Sequence, residues 1–166
     1  ATLNSIYRNG ASSNIAPTYS EGNTVTNSGG SGSDATRTAG TIEIENGKWY
    51  WEIKVNDSPS AVDIGINNDA IGALTGIRQN GTYFVDNNDS GSLTSFTSGD
   101  IISFAFDMDN KKMYIAKNGT YMNSANPSTG SNGISFSTTG SMHCQVKSRQ
   151  DDSLSANFGN PPYANS

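Results

Sequence analysis

The fold is decided by residues 99–119, which read GDIISFAFDMDNKKMYIAKNG. Side chains alternate along two runs with the period of two that is typical of β-strands. One face of the first run carries Ile102, Phe104 and Phe106, the other carries Ile101, Ser103 and Ala105, and in the second run Met113 and Ile115 alternate with Tyr114 and Ala116. Residues 107–110, Asp-Met-Asp-Asn, and the pair Asn118-Gly119 have the composition of tight turns. The stretch therefore predicts a β-hairpin.

A second stretch of the same kind lies at residues 41–55. TIEIE alternates at 41–45, Asn46-Gly47 has turn composition, and KWYWEIKV alternates again at 48–55, which predicts another hairpin. Trp49 and Trp51 fall on one face of its second strand, and an indole buries roughly 150–250 Å². We expect both rings to lie in the core beneath the sheet rather than to form a sugar-stacking platform.

Composition predicts an all-β protein with little or no helix. The chain has 166 residues, of which 33% are hydrophobic and 18 are glycine, and such a chain favours short strands and many turns. Further strands are expected at 61–66, 81–85, 134–136, 142–147 and 154–158, with loops at 67–80, 86–98 and 123–141. At most one helical turn is expected, at residues 70–78. The predicted fold is a two-sheet antiparallel β-sandwich that forms one domain over residues 1–166. Within it, residues 1–40 are expected to be wrapping loops with one or two edge strands. Residues 28–33 are expected to be a mobile loop.

Charge and cysteine usage exclude several classes of function. The formal net charge is −5, and the ten lysines and arginines are scattered, so a basic surface for nucleic acid or for an anionic membrane is not expected. Cys144 is the only cysteine, which excludes an intramolecular disulfide. No apolar stretch has the length of a signal peptide or membrane span. The chain begins with Ala1, and we expect it to be a piece of a longer or processed protein.

Six short motifs, in this order and spacing, resemble the signature of the SPRY domain. They are GKWYWEI at 47–53, IGI at 64–66, GDII at 99–102, FDMDN at 106–110, KNG at 117–119, and ANFG at 156–159 before Pro162-Tyr163. The resemblance covers about residues 41–163 and implies a bent, concanavalin-like β-sandwich that binds protein or peptide partners through loops. The polar loops also resemble SPRY copies in structural proteins of bacteriophages and marine metagenomes. Residues 123–141 are longer and more polar than the usual connection, so contact residues of other members are not transferred.

Three groups of residues contain parts of a catalytic or metal site, and none predicts catalysis or a cofactor. Glu43 and Glu45 match part of the Glu-x-Asp-x-x-Glu pattern of laminarinase-type glycosidases, but Lys48 occupies the last carboxylate position. His143 and Cys144 are neighbours on a predicted strand and point to opposite faces, which leaves a core thiol and a surface imidazole, with Gln145 also outside. Residues 86–91, DNNDSG, have oxygen ligands for calcium but lack the glutamate of an EF-hand, and a polar hairpin turn is the favoured interpretation.

The sequence therefore predicts a non-catalytic recognition module whose loops contact a protein or peptide partner. The alternatives are a carbohydrate-binding module and a structural or assembly domain of a virion protein. The candidate loops are 67–80, 86–95, 123–131 and 147–152, because binding residues concentrate on loops and because Arg and Tyr give large oriented contact areas. The candidate ligand-binding residues are Arg78, Tyr83, Asn87, Tyr121, Arg149 and Gln150. No catalytic residue, metal ligand or cofactor is predicted.

Overall fold

The computed structural model describes residues 2–3, 16–21, 23–28, 36–57, 59, 61–148 and 151–159. Within these ranges the chain forms β-strands and one 3₁₀ turn at Met122–Ser124. The strands are β1 (Ala16–Ser20), β2 (Thr24–Ser28), β3 (Thr36–Ile44), β4 (Lys48–Val55), β5 (Asp63–Asn68), β6 (Ala73–Arg78), β7 (Thr82–Val85), β8 (Asn88–Ser92), β9 (Ile101–Asp107), β10 (Lys112–Lys117), β11 (Thr120–Tyr121), β12 (Ile134–Ser135), β13 (Met142–Ser148) and β14 (Ser153–Asn157). No helix in the described ranges has the length and apolarity needed to span a membrane.

Two antiparallel sheets face each other, which confirms the predicted fold class. The first sheet has the order β1-β2-β14-β4-β9-β10-β11, with β12 also paired to β10, and the second has the order β3-β13-β5-β6-β7-β8. Their inner faces enclose one apolar core. Its fully buried centre includes Ile53, Ile64, Ile66, Ile77, Ile102 and Phe104.

The hairpin predicted at residues 99–119 is confirmed. Phe106 pairs with Met113, and Phe104 with Ile115, all of them buried on the core face of β9 and β10. The Asp107 carboxylate accepts hydrogen bonds from the backbone N–H and the side-chain amide of Asn110, both at 2.9 Å. These bonds close the turn locally, so the hairpin forms where the sequence pattern places it.

The far end of the hairpin also has the predicted backbone. Asn118 and Gly119 have φ values of 49° and 79°, in the left-handed region that Asn and Gly tolerate best. They lead from β10 into the short strand β11, which pairs with Ala116 and Lys117.

The hairpin predicted at residues 41–55 is wrong, because β3 and β4 belong to different sheets. β3 pairs with β13, whereas β4 lies between β14 and β9. Asn46-Gly47 is a corner between the sheets. The Gly47 N–H donates to Asp109 Oδ1 at 2.9 Å and its carbonyl accepts from the Met108 N–H at 2.9 Å. These two hydrogen bonds hold Gly47 against the β9–β10 turn, and the chain passes there from one sheet to the other.

Only one of the two tryptophans lies in the core. Trp51 is 3% exposed and stacks on Phe106 and Phe104 with ring centroids 5.0 and 6.0 Å apart. Trp49 is 37% exposed, and its Nε1–H donates to the Asn46 carbonyl at 2.7 Å. It lies on the core face but at the start of β4, beside the corner, where the core ends.

Several local predictions need correction. The loop expected at 67–80 contains strand β6, and the loop expected at 86–98 contains strand β8. Residues 70–78 hold no helical turn, in keeping with the limit of at most one turn. β6 pairs with β5 over its whole length, so tertiary pairing decides its conformation. The other expected strands are present within one or two residues as β5, β7, β12, β13 and β14.

The N-terminal region contributes more strand than predicted. β1 is an edge strand as expected, but β2 lies inside the first sheet between β1 and β14. Leu3 is buried in the core and bridges Gly40 of β3. Most of the predicted mobile loop, 29–33, lies outside the described residues.

Candidate functional site

Arg78, a predicted ligand contact, is held by the second sheet itself. Its guanidinium lies 3.7 Å from Asp63 Oδ1, also pairs with Asp89, and is stacked over the ring of Phe84 at 5.2 Å. Lys147 joins the same cluster through Asp63 Oδ2 at 3.1 Å. The charge of Arg78 is therefore balanced within the protein, and the cluster ties β5, β6 and β8 together.

Asn87, another predicted contact, supports a turn. Its Oδ1 accepts from the Leu74 N–H at 3.0 Å and its Nδ2 donates to the Gly72 carbonyl at 3.0 Å. With Asp86 it forms the two-residue turn between β7 and β8, with φ values of 70° and 50°. A polar hairpin turn at these residues was the favoured interpretation.

The two predicted tyrosines lie in different places. Tyr83, on β7, lines a cleft at one lateral edge of the sandwich. Tyr121, on β11, belongs to the first sheet and is half-buried. The four predicted residues that the structure describes are therefore divided between the two sheets. Arg149 and Gln150 lie outside the described residues and remain predictions.

Exposed apolar side chains cluster beside the Asn46-Gly47 corner. Ile42 is 43% exposed, Trp49 37% and Tyr50 50%, and half-buried Phe158 adjoins them. We call these four residues the aromatic patch. Ile71 is the other large hydrophobic residue that is strongly exposed in the described ranges, at 67%, and it lines none of the grooves at the patch. Contiguous apolar exposure of this kind marks interaction surfaces, whereas single exposed residues do not.

A narrow slot of about 60 Å³ opens beneath the patch. Its walls are Gly40, Ile44, Trp51 and Cys144, and it reaches the edge of the core. Phe158 packs so closely over Gly40 that a Cβ there would touch its ring at 3.4 Å. The slot is therefore apolar, with room for little more than the end of one side chain. Complete burial raises the pKa of the Cys144 thiol, which keeps it protonated.

A second groove, of about 190 Å³, lies on the other side of Tyr50. Its lining combines the Tyr114 ring and Pro127 with the ion pair of Lys48 and Asp107, whose Nζ and Oδ2 atoms are 3.7 Å apart. Tyr50 thus stands between an apolar slot and a groove with both charges at its rim.

A buried carboxylate fixes the orientation of Tyr50. Glu52 is buried, and its Oε1 accepts the Tyr50 hydroxyl at 2.8 Å while its Oε2 accepts Asn157 Nδ2 at 3.0 Å. Burial, together with the adjacent Glu52 carboxylate, raises the pKa of Tyr50 to about 12. The phenol therefore stays protonated as a donor, and its half-exposed ring is held in place before any partner arrives.

The calcium hypothesis at residues 86–91 meets a competing arrangement. The carboxylate of Asp86 accepts the Ser137 N–H at 2.9 Å, its hydroxyl at 2.6 Å and the Thr138 N–H at 3.2 Å, and also the Thr138 hydroxyl. Its oxygens are thus used to bind the 136–139 segment to the β7–β8 turn. In the described part of the chain, no three His, Cys, Asp or Glu residues are grouped as metal ligands.

These bonds predict acid-sensitive stability. Partial burial alone would raise the pKa of Asp86, but the donors on Ser137 and Thr138 outweigh it and hold the pKa below its usual 3.8. A lowered folded-state pKa stabilises the protein above the unfolded value and loses that effect as the pH falls through the folded value. As the pH falls below about 3.8, the unfolding free energy of the wild type should decrease. We expect a smaller decrease in Asp86→Asn, which lacks the titrating carboxylate. Urea titrations from pH 6 to pH 2 measure this, and an unchanged acid limb would contradict it.

The Cys144 and His143 interpretation is correct in its main point. Cys144 is buried in the core, whereas His143 points to the other face of β13 and contacts the Asp69 carboxylate. Gln145, expected outside, is buried on that outer face. It lies on the central strand β13, where it pairs with Ala39 of β3 and Gly65 of β5.

Carboxylates do not face each other in the slot, in the groove beside Tyr50 or in the lateral cleft. The slot and the lateral cleft have none in their lining, and the groove beside Tyr50 has only Asp107. Glu43 and Glu45 are both exposed on the outer surface. Retaining glycosidases need two carboxyl groups about 5–5.5 Å apart across the scissile bond.

Two facing antiparallel sheets with one core between them form a concanavalin-like β-sandwich. The crystal structure of the SPRY domain of human HERC1 is similar, with a TM-score of 0.68 and 14% sequence identity, over 94% of this chain and 100% of that one. No family model and no curated protein matches the sequence. At this identity the likeness establishes the fold, as the six motifs predicted.

Sequence reasoning missed the aromatic patch. The sequence pattern predicts a core position for Trp49 and a hairpin strand for Ile42, and it predicts no role for Tyr50. A usable signal was present, because three large rings in succession at 49–51 cannot all enter a core on one side of a strand. The ring that must point outward, Tyr50, is the centre of the patch.

Proposed function

We propose that this chain is a non-catalytic recognition module, a SPRY-like domain spanning residues 1–166, and that it binds an extended segment of a protein partner at the aromatic patch. The observation that carries the proposal is the adjacency of Ile42, Trp49 and Tyr50, each more than one third exposed, around a slot into the core. The likeness to a SPRY domain supports a binding role. A place within a larger virion protein remains a prediction from the sequence resemblance.

The chemistry of the patch favours a peptide with an apolar anchor. Binding energy at protein interfaces concentrates in a few aromatic residues around desolvated pockets. The slot accepts the tip of an aliphatic or aromatic side chain, and Lys48 and Asp107 beside Tyr50 offer both charges to the flanking residues. The preset orientation of Tyr50 lowers the entropy lost on binding.

A catalytic role is less well supported by the same surfaces. The grooves lack a carboxylate pair, the thiol of Cys144 is buried, and His143 lies on the opposite face of its strand. The exposed aromatic rings bear no activated nucleophile, since the raised pKa of Tyr50 keeps its hydroxyl protonated.

Peptide selection with the purified chain tests the proposal. Peptides selected from a random phage-displayed library are expected to share an apolar anchor. Trp49→Ala is expected to weaken their binding by about 2 kcal/mol, close to thirtyfold, as loss of a central aromatic contact does. Ile42→Ala is expected to weaken binding by a smaller factor, because less area is lost.

The matched control is Ile71→Ala. It removes the same side chain as Ile42→Ala from another exposed position, so it leaves binding unchanged if the patch is the site. Equal effects of the two isoleucine variants, or binding that survives Trp49→Ala, would contradict the proposal.

A further inference from the structure

We infer that the lateral cleft is a second, independent binding site and that it takes a neutral carbohydrate. The cleft opens at the edge of the sandwich between the β7–β8 hairpin and residues 123–135. Its volume is about 370 Å³, within the range of about 300–1,000 Å³ that is usual for small-ligand sites. It is lined by Tyr83, Val85, Ser90, Asn123, Asn132, Gly133, Ile134 and Ser135.

The floor of the cleft is an extension of the core. Tyr83, Val85 and Ile134 are partly buried and pack against the core cluster, so the apolar part of the cleft lining is continuous with the core. The Tyr83 ring lies over Gly91, where a Cβ would approach it to 2.5 Å. A glycine is needed there for the ring to lie flat against β8.

Polar groups on the walls have hydrogen-bonding capacity to spare. The side chains of Tyr83 and Asn123 make no hydrogen bond to another described residue. Ser135 Oγ accepts from Lys112 Nζ at 2.7 Å, which leaves its own proton to donate, and Asn132 Nδ2 donates to the Ser124 carbonyl at 3.2 Å, which leaves its oxygen to accept. The walls therefore offer both donors and acceptors to a ligand beside the partly buried apolar residues.

The walls are held in place before a ligand binds. β12 pairs with Lys112 and Met113 of β10, and Asn126 and Ser131 bridge each other across the turn above it. Asn123 and Asn132 have φ values of 56° and 53°, a conformation that asparagine tolerates better than most residues. A Cβ on Gly133 would lie 2.7 Å from the Tyr114 ring, so the wall packs closely against the sheet.

This combination favours a neutral sugar over other ligands. None of the described residues lining the cleft is charged, and the Lys112 ammonium that touches its wall is bonded to Ser135 Oγ. The cleft therefore favours a neutral ligand over phosphate, sialic acid or a basic peptide, because desolvating a charged group without a dedicated partner is costly. A neutral sugar ring has C–H surface for the floor and hydroxyl groups for the amides and hydroxyls of the walls. The peptide proposed above instead needs the apolar slot, which lies at a separate set of residues.

Isothermal titration calorimetry with neutral oligosaccharides tests the inference, with glucans, mannans, galactans and xylans as probes and acidic oligosaccharides as a comparison. At least one neutral class is expected to bind. Asn123→Gly removes the amide while keeping the backbone conformation, and Tyr83→Phe removes one hydroxyl. Each is expected to weaken binding about five- to tenfold, as loss of one hydrogen bond does.

Two controls separate this site from the aromatic patch. Tyr121→Phe removes the hydroxyl of a half-buried tyrosine outside the cleft, and Trp49→Ala alters the patch, so both are expected to leave sugar affinity unchanged. Absence of binding by every neutral probe at millimolar concentration, binding of acidic probes alone, or affinity unaffected by Asn123→Gly would overturn the inference. Peptide binding measured on the same variants reports separately on the proposed function.

Discussion

The Gly76→Ala variant is expected to lose about 3 kcal/mol of unfolding free energy, because overpacking without room to relax forces the backbone to move. Gly76 on β6 pairs with Gly65 on β5. A Cβ on Gly76 would lie 2.0 Å from the Ile64 carbonyl oxygen and 2.8 Å from the Gly65 Cα atom. These are backbone atoms of the neighbouring strand, so no side-chain rotation relieves the clash.

Guanidinium denaturation of the Gly76→Ala variant measures this loss of unfolding free energy, and the separate Gly72→Ala variant serves as its control. Gly72 has a φ of +66°, and nothing lies within 4 Å of a Cβ placed there. Its replacement introduces left-handed strain of about 1 kcal/mol without a clash. Equal losses in the two variants would show that the strands do not approach each other as described.

Phe106→Ala is expected to cost about 3–5 kcal/mol, the usual range for removing a buried aromatic side chain. Phe106 is 2% exposed and stacks on Trp51 and Phe104, with ring centroids 5.0 and 5.9 Å away. The edge of Phe136 meets it at 6.0 Å. Its loss therefore leaves a cavity bounded by three aromatic rings.

Trp49→Ala is the informative comparison for Phe106→Ala under thermal or guanidinium denaturation. Trp49 pairs with Phe106 across β4 and β9 but keeps 37% of its surface exposed. Its removal is expected to cost about 1–2 kcal/mol, since most of its lost contact area lies at the rim. A loss of unfolding free energy as large as that of Phe106→Ala would show that Trp49 is buried in the core, and this would contradict the aromatic patch.

The fold could be predicted wherever local pattern and tertiary structure agree. In residues 99–119 the alternation of Ile102, Phe104 and Phe106 and the turn bonded by Asp107 specify the same hairpin, and both are present. The six SPRY motifs then extend the prediction to the part of the sandwich formed by residues 41–163. The structure of such a segment can be predicted from its sequence because its local conformational preferences agree with the fold as a whole.

Predictions failed where a distant segment decides the outcome. Asn46-Gly47 has the composition of a hairpin turn, but its bonds to Met108 and Asp109 make it a corner between sheets. Residues 73–78 become a strand because β5 pairs with them. Neither partner is visible in the local sequence.

The candidate site was harder to predict than the fold for a related reason. Arg78 and Asn87 have side chains suited to binding, but the structure uses them for a charge cluster and a turn. The exposure of Trp49 and Tyr50 depends on where the core ends, which is a property of the assembled sheets. Tyr83 is the predicted residue that the structure places in a cleft.

The most direct test of the aromatic patch as the peptide site is an NMR titration of the ¹⁵N-labelled chain with a selected peptide. The Trp49 indole N–H and the amides of Ile42, Tyr50 and Phe158 are expected to shift, while those of Ile71 and Asn123 stay in place. Shifts confined to the lateral cleft or to the Arg78 cluster, with the Trp49 indole unmoved, would contradict the assignment of this surface.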